Sequence, residues 1–178
     1  MPLSMHTLSV VAFSRALANL KAILEKAKTH ALDHKIQEAV YVNARLYPDM
    51  LPFSRQVQIA TDIARGASAR LSGVEPPSYE DKEQTFDDLI ARVQRTIDYL
   101  NGLDANAFGE AETREITRPV GGQPHTFTGQ NYLLQFATPN VYFHCAMAYG
   151  ILRHNGVPLG KSDSWDRSTE GDRRNSLQ

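Results

Sequence analysis

The sequence has one cysteine, Cys145, among its 178 residues. A single thiol cannot form an internal disulfide framework, which excludes the small scaffolds held together by disulfide bonds. This cysteine usage is typical of a reducing compartment, and a cytoplasmic location is expected. Excess charge is also missing, since 19 basic and 20 acidic residues give a formal net charge of -1. We therefore expect no overall field that would draw the protein to nucleic acid or to an anionic membrane.

Long hydrophobic runs are absent as well. Polar residues interrupt the apolar stretches well short of the ~20 residues that a membrane-spanning helix needs, so no transmembrane helix is expected. The N-terminal segment lacks a basic region ahead of its apolar residues, which follow a helical period and do not form the block typical of a signal peptide. The chain has no glycine-rich phosphate loop and no G-x-S-x-G nucleophile motif.

Helical periodicity is what the sequence has in quantity. Four long stretches carry apolar residues at spacings of three and four, which places those residues on one face of a helix. The stretches lie near residues 6–30, 52–71, 81–101 and 129–154. Four amphipathic helices of this length predict an all-α four-helix bundle. We expect one domain over residues 1–161, followed by a disordered polar tail, 162–178, which has almost no apolar residues to bury.

The segment between the third and fourth helices breaks this pattern. Two short stretches flank Gly121-Gly122, and a small β-hairpin or extended excursion is expected there. Thr128 is the predicted N-cap of the last helix. Pro139 is expected to kink or break that helix, because proline lacks an N–H group and clashes with the preceding turn. So long an excursion also indicates that the bundle is not built from four equal hairpins.

Polar residues occur on the apolar faces of two of these helices. Asn140 and His144 are spaced i, i+4 on the last helix, so their side chains project the same way. Asp49 and Gln56 share a face at the start of the second helix, provided that the helix extends back to residue 49. A bundle would turn both faces towards one core, where these four candidate catalytic residues could converge. His144 would then act as a general base or a ligand, oriented by the other three.

Each candidate also has a structural interpretation. A histidine on an apolar helix face is more often a hydrogen-bonded core residue than a ligand, and a buried amide usually pairs with backbone or another side chain. Asp49 could cap the turn or helix that follows it. The remaining polar residues of the second and third helices are expected on the solvated surface, including Gln58, Asp62, Arg65, Arg70, Arg92 and Arg95.

Donors for a metal ion are few. Zinc prefers three or four histidine, cysteine or carboxylate ligands, whereas this sequence places His144 well and offers Asp49 as a second. Cys145 directly follows His144 and therefore points ~100° away around the helix, so it is not a natural co-ligand.

Three segments carry a family resemblance: LYPDMLPFSRQVQIA, EDKEQTFDDLIARV and FTGQNYLLQFATPNVYFHCAMAYGILRHNGVPLGK. From Leu8 to Lys161 the sequence is similar to the domain-of-unknown-function family numbered nineteen ninety-three, which resembles the DinB/YfiT-like metalloenzymes. The resemblance implies a four-helix bundle, often a homodimer. It also implies a divalent metal held by one histidine on the second helix and an H-x-x-x-H pair on the last. Some members of that superfamily transfer low-molecular-weight thiols, and others are isomerases.

The resemblance assigns positions to three of the candidates. His144 falls on the second histidine of the H-x-x-x-H pair, whereas Asn140 stands at the first and Gln56 matches the histidine of the second helix. Zinc or nickel is the cofactor that the superfamily implies, but amides replace two of its three expected histidine ligands. Three functions therefore stay open: a small-molecule-binding protein or enzyme that uses His144, a non-catalytic helical homodimer with a structural polar core, and a divalent-metal-dependent transferase or isomerase.

Overall fold

A computed structural model describes residues 3–165 of the chain, and most of them are helical. In chain order the elements are a π-helical turn (Thr7–Val11), α1 (Ala12–Asp33), α2 (Glu38–Val42), α3 (Phe53–Ser72), α4 (Phe86–Asn101), a 3-10 turn (Ala105–Phe108), β1 (Glu115–Val120), β2 (Gln123–Thr128), α5 (Gly129–Asn131), a π-helical segment (Tyr132–Ala137), α6 (Thr138–His154) and a 3-10 turn (Lys161–Ser164). The helices α1, α3, α4 and α6 form the predicted four-helix bundle.

The bundle has an uneven topology. Its helices pack in the ring order α1, α4, α3, α6, and α1 touches its diagonal partner α3 only slightly. Two connections therefore cross the bundle: the segment between α1 and α3, which contains α2, and the longer one between α4 and α6, which contains the hairpin. The expectation that the bundle is not four equal hairpins is confirmed.

The core follows from the apolar stripes. α1 buries large aliphatic and aromatic side chains, whereas the buried face of α3 is mostly alanine, so that a neighbouring helix can approach it closely. The fully buried residues on these two helices include Phe13, Leu17, Leu24, Ala60, Ala64 and Ala67. α3 and α6 are in extensive contact, and this close approach is what brings polar side chains of the two helices together.

The first helix is the one described segment that is long and apolar enough to cross a membrane. Residues Thr7–Asp33 reach a mean hydropathy of 1.3 over an 18-residue window, yet 56% of that window is buried inside the bundle. A core helix of a bundle meets the same length and composition test, because one of its faces must be apolar. The expectation that no helix spans a membrane was based on the absence of unbroken apolar runs. α1 has an apolar stripe along one face and no unbroken run of that length.

Helix α4, the third of the four helices predicted from the sequence, begins later than the sequence indicated. Its N-cap is Thr85, which accepts a hydrogen bond from the Asp88 N–H, and the Asp88 carboxylate bonds back to the Thr85 N–H to complete a capping box. The apolar periodicity predicts a start near residue 81, which would put Asp81 and Glu83 in the first turn, where the helix dipole favours acidic residues. They lie in the preceding linker, and their carboxylates pair with arginines of the bundle.

The last helix is reached through the predicted hairpin. β1 and β2 pair antiparallel around Gly121-Gly122, both with positive φ, and Thr128 caps the helix that follows. Pro139 does not break this helix: the helical path runs from Gly129 to His154, with Pro139 in the first turn of α6. The irregularity of the helix is the π-helical segment Tyr132–Ala137 just before Pro139. The i→i+5 hydrogen bonding of this segment accommodates a proline, which has no N–H group.

The C-terminal tail was expected to be disordered from residue 162. Its residues 166–178 lie outside the described part of the chain. The preceding 3-10 turn is attached to α1, because Asn19 Nδ2 donates to the Ser164 carbonyl at 3.1 Å and Lys26 Nζ pairs with Asp163 at 2.5 Å.

Candidate functional site

Two of the four predicted site residues meet in the core. Gln56 lies in the first turn of α3 and His144 near the middle of α6, and the His144 Nδ1 atom is 2.7 Å from Gln56 Oε1. Both side chains are buried, with 2% and 9% of their surface exposed. This hydrogen bond joins the two helices of the bundle that sequence reasoning had selected.

The surroundings of Gln56 determine which imidazole nitrogen carries the proton. Gln56 Nε2 donates to the Leu51 carbonyl at 3.1 Å. Since a carbonyl can only accept, the amide nitrogen must face Leu51 and the amide oxygen must face the imidazole. Nδ1 of His144 is therefore the protonated nitrogen, and Nε2 keeps its lone pair. Within residues 3–165, Nε2 has no protein hydrogen-bond partner.

His144 is held as a neutral imidazole. Burial lowers its pKa below the ordinary value, because desolvation disfavours the charged form. No carboxylate forms an ion pair with it in the described part of the chain. Its neighbour Phe143 presents a ring edge-to-face with the imidazole, at 5.2 Å between centroids and an interplanar angle of 85°. A neutral imidazole with an unpaired Nε2 can accept a hydrogen bond or a proton.

The other two candidates do not join this pair. The Asn140 side chain donates to the Phe136 carbonyl at 2.7 Å, one turn back along its own helix. Asp49 is exposed in the turn from Tyr47 to Met50, which precedes α3 and is not part of it. The N-cap of α3 is Pro52, which has no side-chain cap, so the alternative role of Asp49 as a helix cap is not seen either.

The residues at this site do not fit a metal ion. Among residues 3–165 there is no group of three histidine, cysteine or carboxylate side chains that could hold one. Gln56 uses its oxygen on the imidazole and its nitrogen on the backbone, so no donor of Gln56 faces the same centre as Nε2. Burial raises the pKa of the Cys145 thiol to about 12, so it remains protonated and is not available as a thiolate ligand.

Three surface cavities of about 570, 530 and 380 Å³ lie on other parts of the bundle, and neither Gln56 nor His144 lines them. The first is bordered by the linker before α4 and by α4 itself, and the other two by α1. His144 and Gln56 therefore lie apart from these three cavities, and the half-exposed ring of Phe143 adjoins the imidazole.

A second polar network was missed by sequence reasoning. Gln58, Arg65 and Arg92 were expected on the solvated surface, but they are only 3%, 8% and 2% exposed. They lie in the α3–α4 interface beneath the linker. The polar residues at positions 58, 61, 62 and 65 of α3 have the spacing of three and four that puts them on one helix face, and this is the sequence signal that could have revealed a polar interface with Arg92 of α4.

Arg92 is the centre of this network. Its Nε donates to Thr61 Oγ1 at 2.8 Å and its Nη2 to Asp62 Oδ1 at 2.7 Å. Its Nη1 lies 3.0 Å from both Asp81 Oδ1 and Glu83 Oε1 in the linker. A buried guanidinium is tolerated because every side of it meets an oxygen. The network holds the linker against the bundle.

The linker is also fastened by an aromatic contact. The guanidinium carbons of Arg65 and Arg95 lie 3.8 and 3.6 Å from the centre of the Tyr79 ring. Two planar cations at these distances must occupy opposite faces of one ring, so Tyr79 is sandwiched between α3 and α4. We assign this region a structural role, since its ion pairs and ring contacts hold the linker against α3 and α4.

The family follows from a match over nearly the whole chain. Residues 5–165 match the model of the family described as Domain of unknown function (DUF1993). The chain belongs to this family. A crystal structure of a DinB family member protein from Shewanella denitrificans is similar to it, with 41% sequence identity and a TM-score of 0.85, over 90% of this chain and 91% of that chain. No curated protein matches the sequence. This DUF1993 member therefore has a DinB-like fold, as its sequence motifs indicated.

Proposed function

We propose that this DUF1993 protein binds a small molecule at His144 and that the Nε2 atom of His144 accepts a hydrogen bond or a proton from it. The proposal rests on one observation: Gln56, fixed by the Leu51 carbonyl, keeps the proton of His144 on Nδ1. Gln56 is then a positioning residue. Proteins commonly orient a functional imidazole through a hydrogen bond to the ring nitrogen that does not face the ligand.

The electrostatics of the site support this role. A histidine whose pKa burial lowers is unprotonated at neutral pH, so its lone pair is available as a base or acceptor. Asn140 was proposed as a second orienting group, but its amide is bonded within α6. The Asp49 carboxylate does not contribute to the lowering of the His144 pKa, which is caused by burial. The proposed machinery is therefore reduced to His144 and Gln56.

The proposal is tested first by nitrogen-15 NMR of the histidine side chains at pH 7.5. We expect the His144 Nδ1 signal to be that of a protonated nitrogen and the Nε2 signal that of an unprotonated one. A small-molecule screen by thermal shift follows, with His144→Gln and, as a matched control, the exposed helix-end variant His154→Gln. A ligand present at about 100 times its Kd stabilises the folded state by roughly 2.7 kcal/mol.

The expected result is a ligand-induced rise in Tm that His144→Gln abolishes and His154→Gln retains. An imidazole with its proton on Nε2 would contradict the proposal, because the only free nitrogen would then be a donor. Ligands that stabilise both variants equally would show that they bind elsewhere.

A non-catalytic homodimer with a structural polar core is the second candidate. Its support is that Gln56 and His144 satisfy one another in the core, and that two neighbouring aromatic residues of α6, Tyr142 and Phe143, are 48% and 52% exposed. Light scattering coupled to size-exclusion chromatography measures the oligomeric state. A dimer that dissociates on Tyr142→Ser, in a protein for which no ligand depends on His144, would favour this candidate over the first.

A further inference from the structure

We propose that the ligand of the His144 site is an uncharged hydrogen-bond donor carried on an apolar, preferably aromatic, body. This inference rests on the proposed function and deepens it. It is drawn from the free imidazole nitrogen, from the charges that face the site and from the apolar surface beside it.

The polarity of the ligand follows from the tautomer. Nε2 of His144 presents a lone pair, because the ring proton is on Nδ1, which donates a hydrogen bond to Gln56 Oε1. A group that only accepts hydrogen bonds, such as an ether or a carboxylate, gains nothing from this nitrogen. A hydroxyl, an amide N–H or an aromatic N–H can donate to it.

The absence of charge in the ligand follows from what lies around the pair. His144 forms no ion pair in the described part of the chain. The nearest charged groups along the segment before α3 point elsewhere: Asp49 is exposed in its turn, and Arg45 donates to the Met50 carbonyl. Among residues 3–165 no charged side chain forms an ion pair or a hydrogen bond with the imidazole, so the transfer of a charged ligand out of water would be uncompensated there.

The apolar body follows from the rim. Phe143, whose ring meets the imidazole at its edge, is 52% exposed, and Leu51, whose carbonyl fixes Gln56, is 44% exposed. The Phe143 ring contacts the imidazole directly, and Leu51 adjoins the Gln56 amide through its backbone carbonyl. An aromatic ring resting on Phe143 would gain both apolar burial and ring–ring contact.

Four matched probes separate the parts of this inference: phenol, anisole, benzoate and benzylammonium. All carry one benzene ring, and they are respectively an uncharged donor, an uncharged non-donor, an anion and a cation. Each is titrated into the full-length protein at pH 7.5 and followed by the nitrogen-15 shift of His144 Nε2 and by the Kd. We expect phenol to bind about tenfold more tightly than anisole, the difference that one hydrogen bond commonly makes, and to shift the Nε2 signal.

Two neighbouring aromatic residues supply the control. Phe143→Ala should weaken phenol binding several-fold, whereas Tyr142→Ala should not, since Tyr142 has a similar exposure but no ring contact with His144 in the described structure. Both positions are half exposed, so neither variant should unfold the bundle.

The outcomes distinguish this inference from the proposed function. Equal affinity for phenol and anisole, or no binding of phenol, would overturn the donor requirement. Tighter binding of benzoate or benzylammonium with a shift at His144 would overturn the uncharged class and leave the proposed function intact. A proton found on Nε2 would overturn both.

Discussion

Gln56 and His144 are 88 residues apart in the chain, and their side chains meet across 2.7 Å in the interface of α3 and α6. The bond places a neutral imidazole in a fixed orientation in this interface. Because both partners are buried, the loss of either leaves one polar atom of the other, Gln56 Oε1 or His144 Nδ1, without its hydrogen-bond partner. Substitutions of Gln56 and His144 are therefore expected to change both ligand binding at the site and the free energy of unfolding.

Replacing Gln56 with leucine should destabilise the protein by roughly 1–3 kcal/mol, the usual cost of leaving a buried donor unpaired. The same change should let the imidazole proton distribute between both nitrogens. Urea unfolding measures the first effect and nitrogen-15 NMR the second. Gln135→Leu is the control, since Gln135 is exposed on the π-helical segment and should change the stability by no more than about 0.5 kcal/mol. An unchanged tautomer in Gln56→Leu would mean that Gln56 does not position the imidazole.

The stability should fall at mildly acidic pH, in part because of His144. Its pKa in the folded state is lowered by burial, while in the unfolded chain it is near ~6.5. The unfolded state therefore binds more protons between these two values. The contribution of the neutral imidazole is complete above the unfolded pKa and is lost as the pH falls through the folded one.

The His144→Gln variant isolates this effect. Its free energy of unfolding should decrease less than that of the wild type between about pH 7.5 and 5, because the variant lacks the His144 titration and keeps every other ionisable group. Parallel curves for the two proteins would show that His144 has the same pKa folded and unfolded.

Arg92→Met should destabilise the bundle by roughly 3 kcal/mol, near the lower end expected when one member of a buried ion pair is removed. Glu83 would stay buried without its cation, whereas Asp62 and Asp81 are about one-third exposed and can be solvated in part. Denaturant unfolding gives the value. The control is Arg95→Met, at an exposed position of the same helix whose cation lies against the Tyr79 ring, for a change of less than about 1 kcal/mol. Equal losses for both arginines would contradict a central role for Arg92.

Two glycines should respond to alanine in opposite directions. A Cβ atom on Gly129 would lie 1.8 Å from the Ala111 carbonyl oxygen, so that the backbone must move. Gly129→Ala should therefore cost at least about 3 kcal/mol, at or beyond the usual range for overpacking. Gly150, inside α6, has nothing within 4 Å of the position that a Cβ atom would occupy, and Gly150→Ala should stabilise by about 0.5–1 kcal/mol through helix propensity. Thermal unfolding of both variants checks the pair, and a tolerated Gly129→Ala would place the Ala111 carbonyl further from α5.

Calorimetric titration with zinc and nickel should give no stoichiometric binding. His144 is the one nitrogen donor of the site, and the described residues offer no set of three suitable side chains around it. Elemental analysis of protein purified without chelator is the complementary measurement. One equivalent of metal that is lost in His144→Ala would contradict this donor set and restore the metal-dependent transferase or isomerase.

The sequence predicted most of the local structure. The apolar periodicity of α1, α3 and α6 located these helices, and Gly121-Gly122 located the hairpin turn, because both signals depend only on neighbouring residues. The start of α4 was predicted too early, since the acidic residues before it resemble a first helical turn. Their partner Arg92 lies about ten residues further along, and no local rule connects them.

For the candidate site the sequence determined the face on which each side chain lies, and through its motifs the family and the DinB-like bundle. The tertiary structure decided which of those side chains meet. Asn140 shares the phase of His144, yet its amide bonds to the nearer Phe136 carbonyl, because a local backbone acceptor competes with any partner across the bundle. The Gln56 amide also bonds locally, to the Leu51 carbonyl, but this uses its nitrogen and leaves its oxygen for α6. Helical phase sets the direction of a side chain, whereas the distance between helices, set by the alanines of α3, determines whether two side chains can form a hydrogen bond.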